Sequence, residues 1–259
     1  MKRSKLVLSS TAILLSVQVH AIEINGWTGV GNYGTGVADG SVTLSPYTDS
    51  SQYGWVSTRN GVDGVGLAGI GGAGNSTNGS VLTSSAFSAE AGSSLQFYFN
   101  YVTSDGAGYA DYGWARLLNE DMTQASLLFT ARTTVGSDTV PGFSMPAPDA
   151  TLTPTNTPII SGEPLWSPLG GDSGSCYSTG CGYTDWVQVS YEILTTGNYL
   201  LEIGVVNWND EFYDTGMAFD GATIDGVDIN DGSGEVPAPA PLALVGLGLL
   251  ALGVSRKQK

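Results

Sequence analysis

Leu95-Gln96-Phe97-Tyr98-Phe99-Asn100-Tyr101-Val102 decides the fold class. Residues 95, 97, 99 and 101 fall on one face, and a period of two is that of a β-strand. Val187, Val189, Tyr191 and Ile193 alternate with Gln188, Ser190 and Glu192 in the same way. Tyr199-Leu200-Leu201-Glu202-Ile203-Gly204-Val205-Val206 reads as a central strand. Weaker strand patterns fall at 42–44, 53–58, 81–83, 112–118, 126–132 and 217–228. No coherent amphipathic helix separates them. Strands of this number with turn signals between them predict an all-β, antiparallel, jelly-roll or lectin-like β-sandwich over residues 22–230, with a barrel as the alternative.

Two stretches break the pattern. Between 133 and 168, Pro141, Pro146, Pro148, Pro154, Pro158, Pro164 and Pro168 exclude a central strand. Phe143, Met145, Leu152, Ile159, Ile160 and Trp166 give this stretch apolar anchors, so it reads as an ordered excursion over one face rather than a domain linker. Residues 61–80, rich in Gly, Ser and Asn, read as a flexible loop without phosphate-cradle spacing. Cys176 and Cys181 are the two cysteines of the chain, and in an oxidising compartment they predict a disulfide. Its ring is small, so the staple contributes about 2 kcal/mol to a loop.

Residues 22–235 hold all 24 acidic residues and only three of the nine basic ones, Arg59, Arg116 and Arg132, a balance of −21. Such a charge disfavours nucleic acid and anionic membrane as partners and favours solubility and cations. The single histidine is His20, near the N-terminus, and no lysine lies between residues 22 and 235. Gly171-Asp172-Ser173-Gly174, which resembles a protease nucleophile segment, therefore has no imidazole or amine base and reads as a turn. A glycosidase needs two suitably separated carboxyls, and the sequence singles out no pair among the acids. The expectation is a protein that is not an enzyme.

Calcium suits the acids best, because it takes carboxylate and carbonyl oxygens. Asp105 and Asp111 follow the strongest strand pattern. Asp210 and Asp214 follow the central one, with Asp220 beyond. If those strands are neighbours, the five could share a rim, although Asp and Asn also cap turns without any metal. No cofactor is required on this reading, and calcium is the one that would fit. The six tryptophans are Trp27, Trp55, Trp114, Trp166, Trp186 and Trp208. Any of them could stack on sugar rings or simply fill the core. Trp208 and Tyr213, inside the second acidic cluster, are the sequence's best carbohydrate candidates.

The two ends point out of the cytoplasm. Lys2, Arg3 and Lys5 precede an apolar run over 6–19, and Val19-His20-Ala21 fits a cleavage site. Residues 1–21 thus read as a signal peptide for the Sec machinery and signal peptidase, with cleavage after Ala21. Residues 231–241 form a Pro-rich linker, and 242–259 form a short apolar transmembrane helix with a basic stop that includes Arg256, Lys257 and Lys259. Together with Val236, Pro237, Ala238 and Pro239, this tail resembles the PEP-CTERM sorting signal of Gram-negative bacteria. In that family the motif reads Val-Pro-Glu-Pro; Ala238 stands here in place of Glu. The resemblance implies transient anchoring in the inner membrane, processing by an exosortase-like enzyme, and delivery to the cell surface or extracellular matrix. It also implies association with exopolysaccharide and biofilm.

The body has a resemblance too. Residues 97–118, Pro141-Gly142-Phe143-Ser144-Met145-Pro146, Trp166-Ser167-Pro168-Leu169-Gly170, Cys181-Gly182-Tyr183-Thr184-Asp185-Trp186 and Gly204-Val205-Val206-Asn207-Trp208 are similar to an uncharacterised exported family with such tails. That similarity implies a lectin-like ectodomain and supplies no catalytic residues. The expected role is a non-enzymatic envelope or matrix component, with a carbohydrate-binding module as the alternative and a carboxylate-dependent glycosidase behind both.

Overall fold

The computed structural model describes residues 24–70, 74–109, 111–134 and 138–230. The expected signal peptide, the cleavage site at Ala21, the linker, the sorting residues and the apolar tail lie outside these residues. Among the described residues no helix is long and apolar enough to cross a membrane.

The chain forms strands β1 (Thr28–Val30), β2 (Asn32–Gly36), β3 (Tyr53–Ser57), β4 (Val62–Asp63), β5 (Ser76–Thr83), β6 (Phe87–Ala89), β7 (Ser94–Thr103) and β8 (Tyr112–Asn119). It continues with β9 (Gln124–Arg132), β10 (Thr151–Thr153), β11 (Ile160–Ser161), a 3-10 turn (Ser167–Asp172), β12 (Gly182–Tyr183), β13 (Val187–Glu192), β14 (Gly197–Trp208), β15 (Thr215–Ile224) and β16 (Val227–Asp228). One sheet runs β1-β5-β14-β8-β9, with β4 on β5 and β6 on β14. The other runs β10-β13-β7-β15-β3-β2, with β12 also on β7, β11 on β12 and β16 on β15. All pairings are antiparallel. Each path has two ends, so neither sheet closes into a barrel.

The main core lies between the sheets. Leu95, Phe97, Phe99 and Tyr101 of β7 meet Leu201, Ile203 and Val205 of β14, with Met217 and Phe219 of β15 beside them. The outer faces are covered as well. Tyr53, Val102, Trp166, Leu169, Trp186 and Ala218 form a second cluster outside the β7-β15-β3 sheet. Tyr112, Trp114, Val206 and Trp208 form a third outside the β14-β8 sheet, under Val65, Leu67, Ile70 and Met145. This double cover is why β15 is buried along its whole length and β14 from Leu201 onward. Each large apolar side chain so buried contributes about 1.5–3 kcal/mol.

Glycine opposite an aromatic residue recurs across the ladders. Register pairs Gly34 with Trp55, Gly36 with Tyr53, Gly54 with Phe219 and Gly204 with Trp114. A Cβ added at Gly34 would stand 2.8 Å from Trp55 Cζ2, and one at Gly36 would stand 3.0 Å from Tyr53 Cε2. At Gly54 and Gly204 the ring lies closer still. The missing side chain lets the ring of the neighbouring strand lie down across the sheet.

Several local expectations change. Residues 42–44 form no strand; Val42 makes a single bridge to Asp39 and is buried in the second cluster. The 217–228 pattern is a hairpin, turned at Asp225 and Gly226, both at positive φ. The stretch read as a flexible loop instead contributes β4, most of β5 and the cover of the third cluster. In the proline-rich excursion, the Asp149 and Ala150 N–H groups donate to Leu127 and Leu128 O (3.0 and 3.2 Å) before β10 joins β13. The segment thus passes from the edge of one sheet to the edge of the other. Leu152 enters the main core, Trp166 the second cluster, and Met145 packs on the third. Phe143 and Ile160 are exposed rather than anchoring. Cys176 and Cys181 are disulfide-bonded, with Cα atoms 5.7 Å apart.

If ring-over-glycine packing sets the sheet geometry, Gly204→Ala costs about 1–3 kcal/mol by overpacking against Trp114. Gly108→Ala, where the new methyl meets open space, stays within about 0.5 kcal/mol of the parent. Urea denaturation of the two variants reads the difference.

Candidate functional site

Four of the five carboxylates expected to share a rim gather at one end of the sandwich. The Trp208 N–H donates to Asp111 Oδ1 at 2.8 Å and the Thr215 hydroxyl donates to Asp111 Oδ2 at 2.7 Å. Thr103 Oγ1 lies 2.7 Å from Thr215 Oγ1 and accepts the Asp105 N–H at 3.1 Å. Asp105 Oδ1 accepts the Gly106 N–H at 2.6 Å; its Oδ2 is buried without a hydrogen-bond partner. Asp214 accepts from the Thr58 hydroxyl at 3.0 Å and sits 3.6 Å from the half-exposed Arg59 guanidinium. Asp172 Oδ2 accepts the Asp214 N–H at 3.1 Å. Asp210 accepts the Phe212 N–H at 2.9 Å, closing its own turn.

Asp220 does not share this rim. It pairs with Tyr98, five positions along β15 from the Thr215–Thr103 pair, roughly 17 Å at strand rise. There it accepts from Ser45 and Ser50. The reason is strand direction: Asp214 immediately precedes β15 and Asp220 lies well along it. Among the described residues, no group of three or more His, Cys, Asp or Glu is placed to hold a metal ion. What the rim demonstrably does is tie loops together by accepting backbone N–H and threonine hydroxyl bonds.

Burial dominates the electrostatics. It pushes Asp105 up to about 7, with the Asp210 charge adding to it and the Gly106 N–H opposing. It holds Asp111 well above the usual carboxylate range, helped by the charge of Asp105. It raises Asp214 to about 6, with Asp172 adding to the rise and the Thr58 hydroxyl and Arg59 opposing it.

The carbohydrate candidates part company. Trp208 is buried, with the Arg132 guanidinium 4.4 Å from its ring and Tyr112 packed edge-on at 5.9 Å. It belongs to the third cluster and offers no face to a ligand. Tyr213 is partly exposed and lies 5.0 Å from Tyr177, which in turn packs edge-on against Tyr109 at 5.4 Å. Trp27, Trp114, Trp166 and Trp186 are also buried. Trp55 is the tryptophan that remains partly exposed.

Trp55 lies in an open cleft of about 630 Å³ between the edge hairpin β2–β3 and the 3-10 turn. Its indole lies across Gly34, and the buried Tyr53 lies beside it across Gly36. Asn32, Thr35, Asp39, Arg59 and Asn60 supply polar groups to the lining. Asp39 Oδ2 accepts the Ser167 N–H at 2.7 Å, which fixes the turn against the hairpin. The Tyr53 hydroxyl accepts the Trp166 indole N–H at 3.0 Å and ties the lining to the second cluster. The volume falls in the range of small-ligand sites. Sequence reading missed this cleft because β2, Asn-Tyr-Gly-Thr-Gly, shows no apolar alternation. The available signal was glycine at 34 and 36 facing aromatics at 53 and 55, both at period two.

No protein-family model matches the chain, and no curated protein matches it. Among solved structures, one likeness is the enzymatically active domain of tailspike protein 4 of bacteriophage CBA120. Its TM-score is 0.33 and its identity 12%, over 78% of this chain and 19% of that one. Another is the K1 cleaved adhesin domain of Lys-gingipain from Porphyromonas gingivalis, with TM-score 0.30 and identity 11%, over 75% of this chain and 90% of that one. Likenesses this slight carry no argument about binding or activity.

The acidic rim has a measurable consequence. Asp105, Asp111 and Asp214 bind a proton more tightly folded than unfolded, where an Asp titrates near 3.8. For Asp105 and Asp214 the stabilising protonation is complete below about pH 4 and is lost as pH rises through about 6 to 7, and Asp111 acts in the same direction. Melting temperature therefore falls between pH 5 and pH 8. Asp105→Asn, which removes one buried charge, raises Tm at pH 8 by about 2–4 °C for each kcal/mol recovered, and by less at pH 5. Differential scanning calorimetry at the two pH values checks both signs.

Proposed function

We propose that the protein is a non-catalytic, exported carbohydrate-binding module of the cell surface or extracellular matrix, and that it holds polysaccharide in the cleft over Trp55. The observation that carries this reading is the indole laid across Gly34 in a cleft lined by Asn32, Asp39, Arg59 and Asn60. An indole held flat buries the apolar face of a sugar ring without losing rotamer freedom, because the sheet already fixes it. Amide, carboxylate and guanidinium groups around it match hydroxyls as donors and acceptors.

Binding is favoured over hydrolysis by the lining itself. Asp39 is the one acid among the lining residues, and it is engaged by the Ser167 N–H. Glycoside hydrolysis needs two carboxyls flanking the bond. Export by signal peptide, transient inner-membrane anchoring and exosortase-like processing belong to the same proposal and rest on the two ends of the sequence. No cofactor enters it.

Affinity electrophoresis through gels containing exopolysaccharide extracted from the producing bacterium tests the reading. The wild-type protein is retarded. Trp55→Ala and Gly34→Val, whose new side chain displaces the indole, lose the retardation, and Trp55→Ala keeps the parental Tm within a few degrees. Retardation that survives in both variants contradicts the assignment.

A further inference from the structure

We infer that the tyrosine row Tyr213–Tyr177–Tyr109 is a second sugar subsite continuing the cleft, so that the ligand is an extended neutral polysaccharide chain rather than a chain end. The inference rests on the carbohydrate reading of the Trp55 cleft and adds the length and charge of what it binds.

Arg59 lines the cleft and reaches Asp214 at 3.6 Å, and the Asp214 N–H is held by Asp172. Tyr213 directly precedes Asp214 and, at φ 61, has a left-handed backbone. Its ring is 5.0 Å from Tyr177, which is 48% exposed and 5.4 Å from Tyr109. Arg59 thus links the cleft to the turn that carries Tyr213, and on this inference a chain leaving the cleft past Arg59 runs onto the phenol rings.

The row is held in place before any ligand arrives. The Tyr177 N–H donates to Ser104 O and the Ala107 N–H to Thr179 O, both at 3.0 Å. The Cys176–Cys181 bond closes the loop that carries Tyr177. Ordered aromatic surfaces bind at little entropic cost, since their freedom is already lost on folding. The partly exposed Asp172, which holds the Asp214 N–H next to Tyr213, and Asp210, whose charge reaches Tyr109, can accept hydroxyl hydrogens. In a segment with a balance of −21, the same carboxylates repel a polyanion. The chemistry that fits is a run of neutral sugar rings.

The test uses the intact protein and exopolysaccharide extracted from the producing bacterium, cut by partial hydrolysis and separated by size, with binding read by titration calorimetry. Affinity is expected to rise by about tenfold from the shortest fragments that bind to those long enough to reach Tyr177, about what one further stacking contact supplies. Tyr177→Ala and Tyr109→Ala, each checked for an unchanged melt, abolish that gain and leave short-fragment affinity alone. If short fragments bind but affinity is flat with length, or if both variants weaken short and long fragments alike, the second subsite is overturned while the cleft reading stands. If no fragment binds, the cleft reading falls and takes the subsite with it. If the binding fractions carry carboxylate or sulfate and weaken as salt is added, the neutral-chain assignment is overturned.

Discussion

A ring lying across a glycine of the next strand is the contact on which this structure depends. Strands are spaced by backbone hydrogen bonds, so a large aromatic can lie flat on a sheet only where its cross-strand neighbour has no side chain. Phe219 over Gly54 uses that space inside the sandwich, and Trp114 over Gly204 uses it on the covered outer face of β14 and β8. Trp55 over Gly34 and Tyr53 over Gly36 use it at the edge of a sheet. The same device that fills the core thus makes, at the edge, a flat aromatic floor. Interior glycine ordinarily weakens a strand, and the covering ring compensates by shielding the exposed backbone.

The second constraint is charge. A segment with 24 acids and three arginines, residues 22–235, must place its carboxylates somewhere. Most meet solvent, but Asp105, Asp111 and Asp214 are buried where the ends of β3, β7, β14 and β15 converge. There Asp105 accepts the Gly106 N–H, Asp111 the Trp208 N–H at the end of β14 and the Thr215 hydroxyl, and Asp214 the Thr58 hydroxyl. The cost of burial appears as raised proton affinity, and the return is a rim whose loops carry Tyr213, Tyr177 and Arg59 in fixed positions. Arg116 is spent on Glu202 and Arg132 on the faces of Tyr112 and Trp208, so Arg59 is the arginine left to face the cleft.

Much of the fold was legible. The alternations at 95–102, 187–193 and 199–206 became β7, β13 and the central β14, because period two survives wherever one face is buried. The disulfide followed from two cysteines and an expected oxidising compartment. β2 was not legible, since its glycines are informative only beside their partners in β3. Residues 42–44 looked like a strand because Val42 and Leu44 flank Thr43 at period two, yet only Val42 is buried, in the second cluster. Of the candidate site, the convergence of Asp105, Asp111, Asp210 and Asp214 was readable from strand ends. The separation of Asp220 required strand direction. Trp208 and Trp55 could not be ranked from sequence, because burial of an indole depends on which loop crosses it: Val65, Leu67, Ile70 and Met145 cover the cluster that holds Trp208, whereas Trp55 opens onto the cleft.

The most direct measurement of the central claim is a nitrogen–proton NMR titration that follows the six tryptophan indole signals while neutral exopolysaccharide fragments are added. The account requires the Trp55 signal, assigned by its loss in Trp55→Phe, to move in a saturable way while Trp114 and Trp166 stay fixed in their buried positions. A Trp55 signal that does not move while Trp208 or another indole does would contradict it.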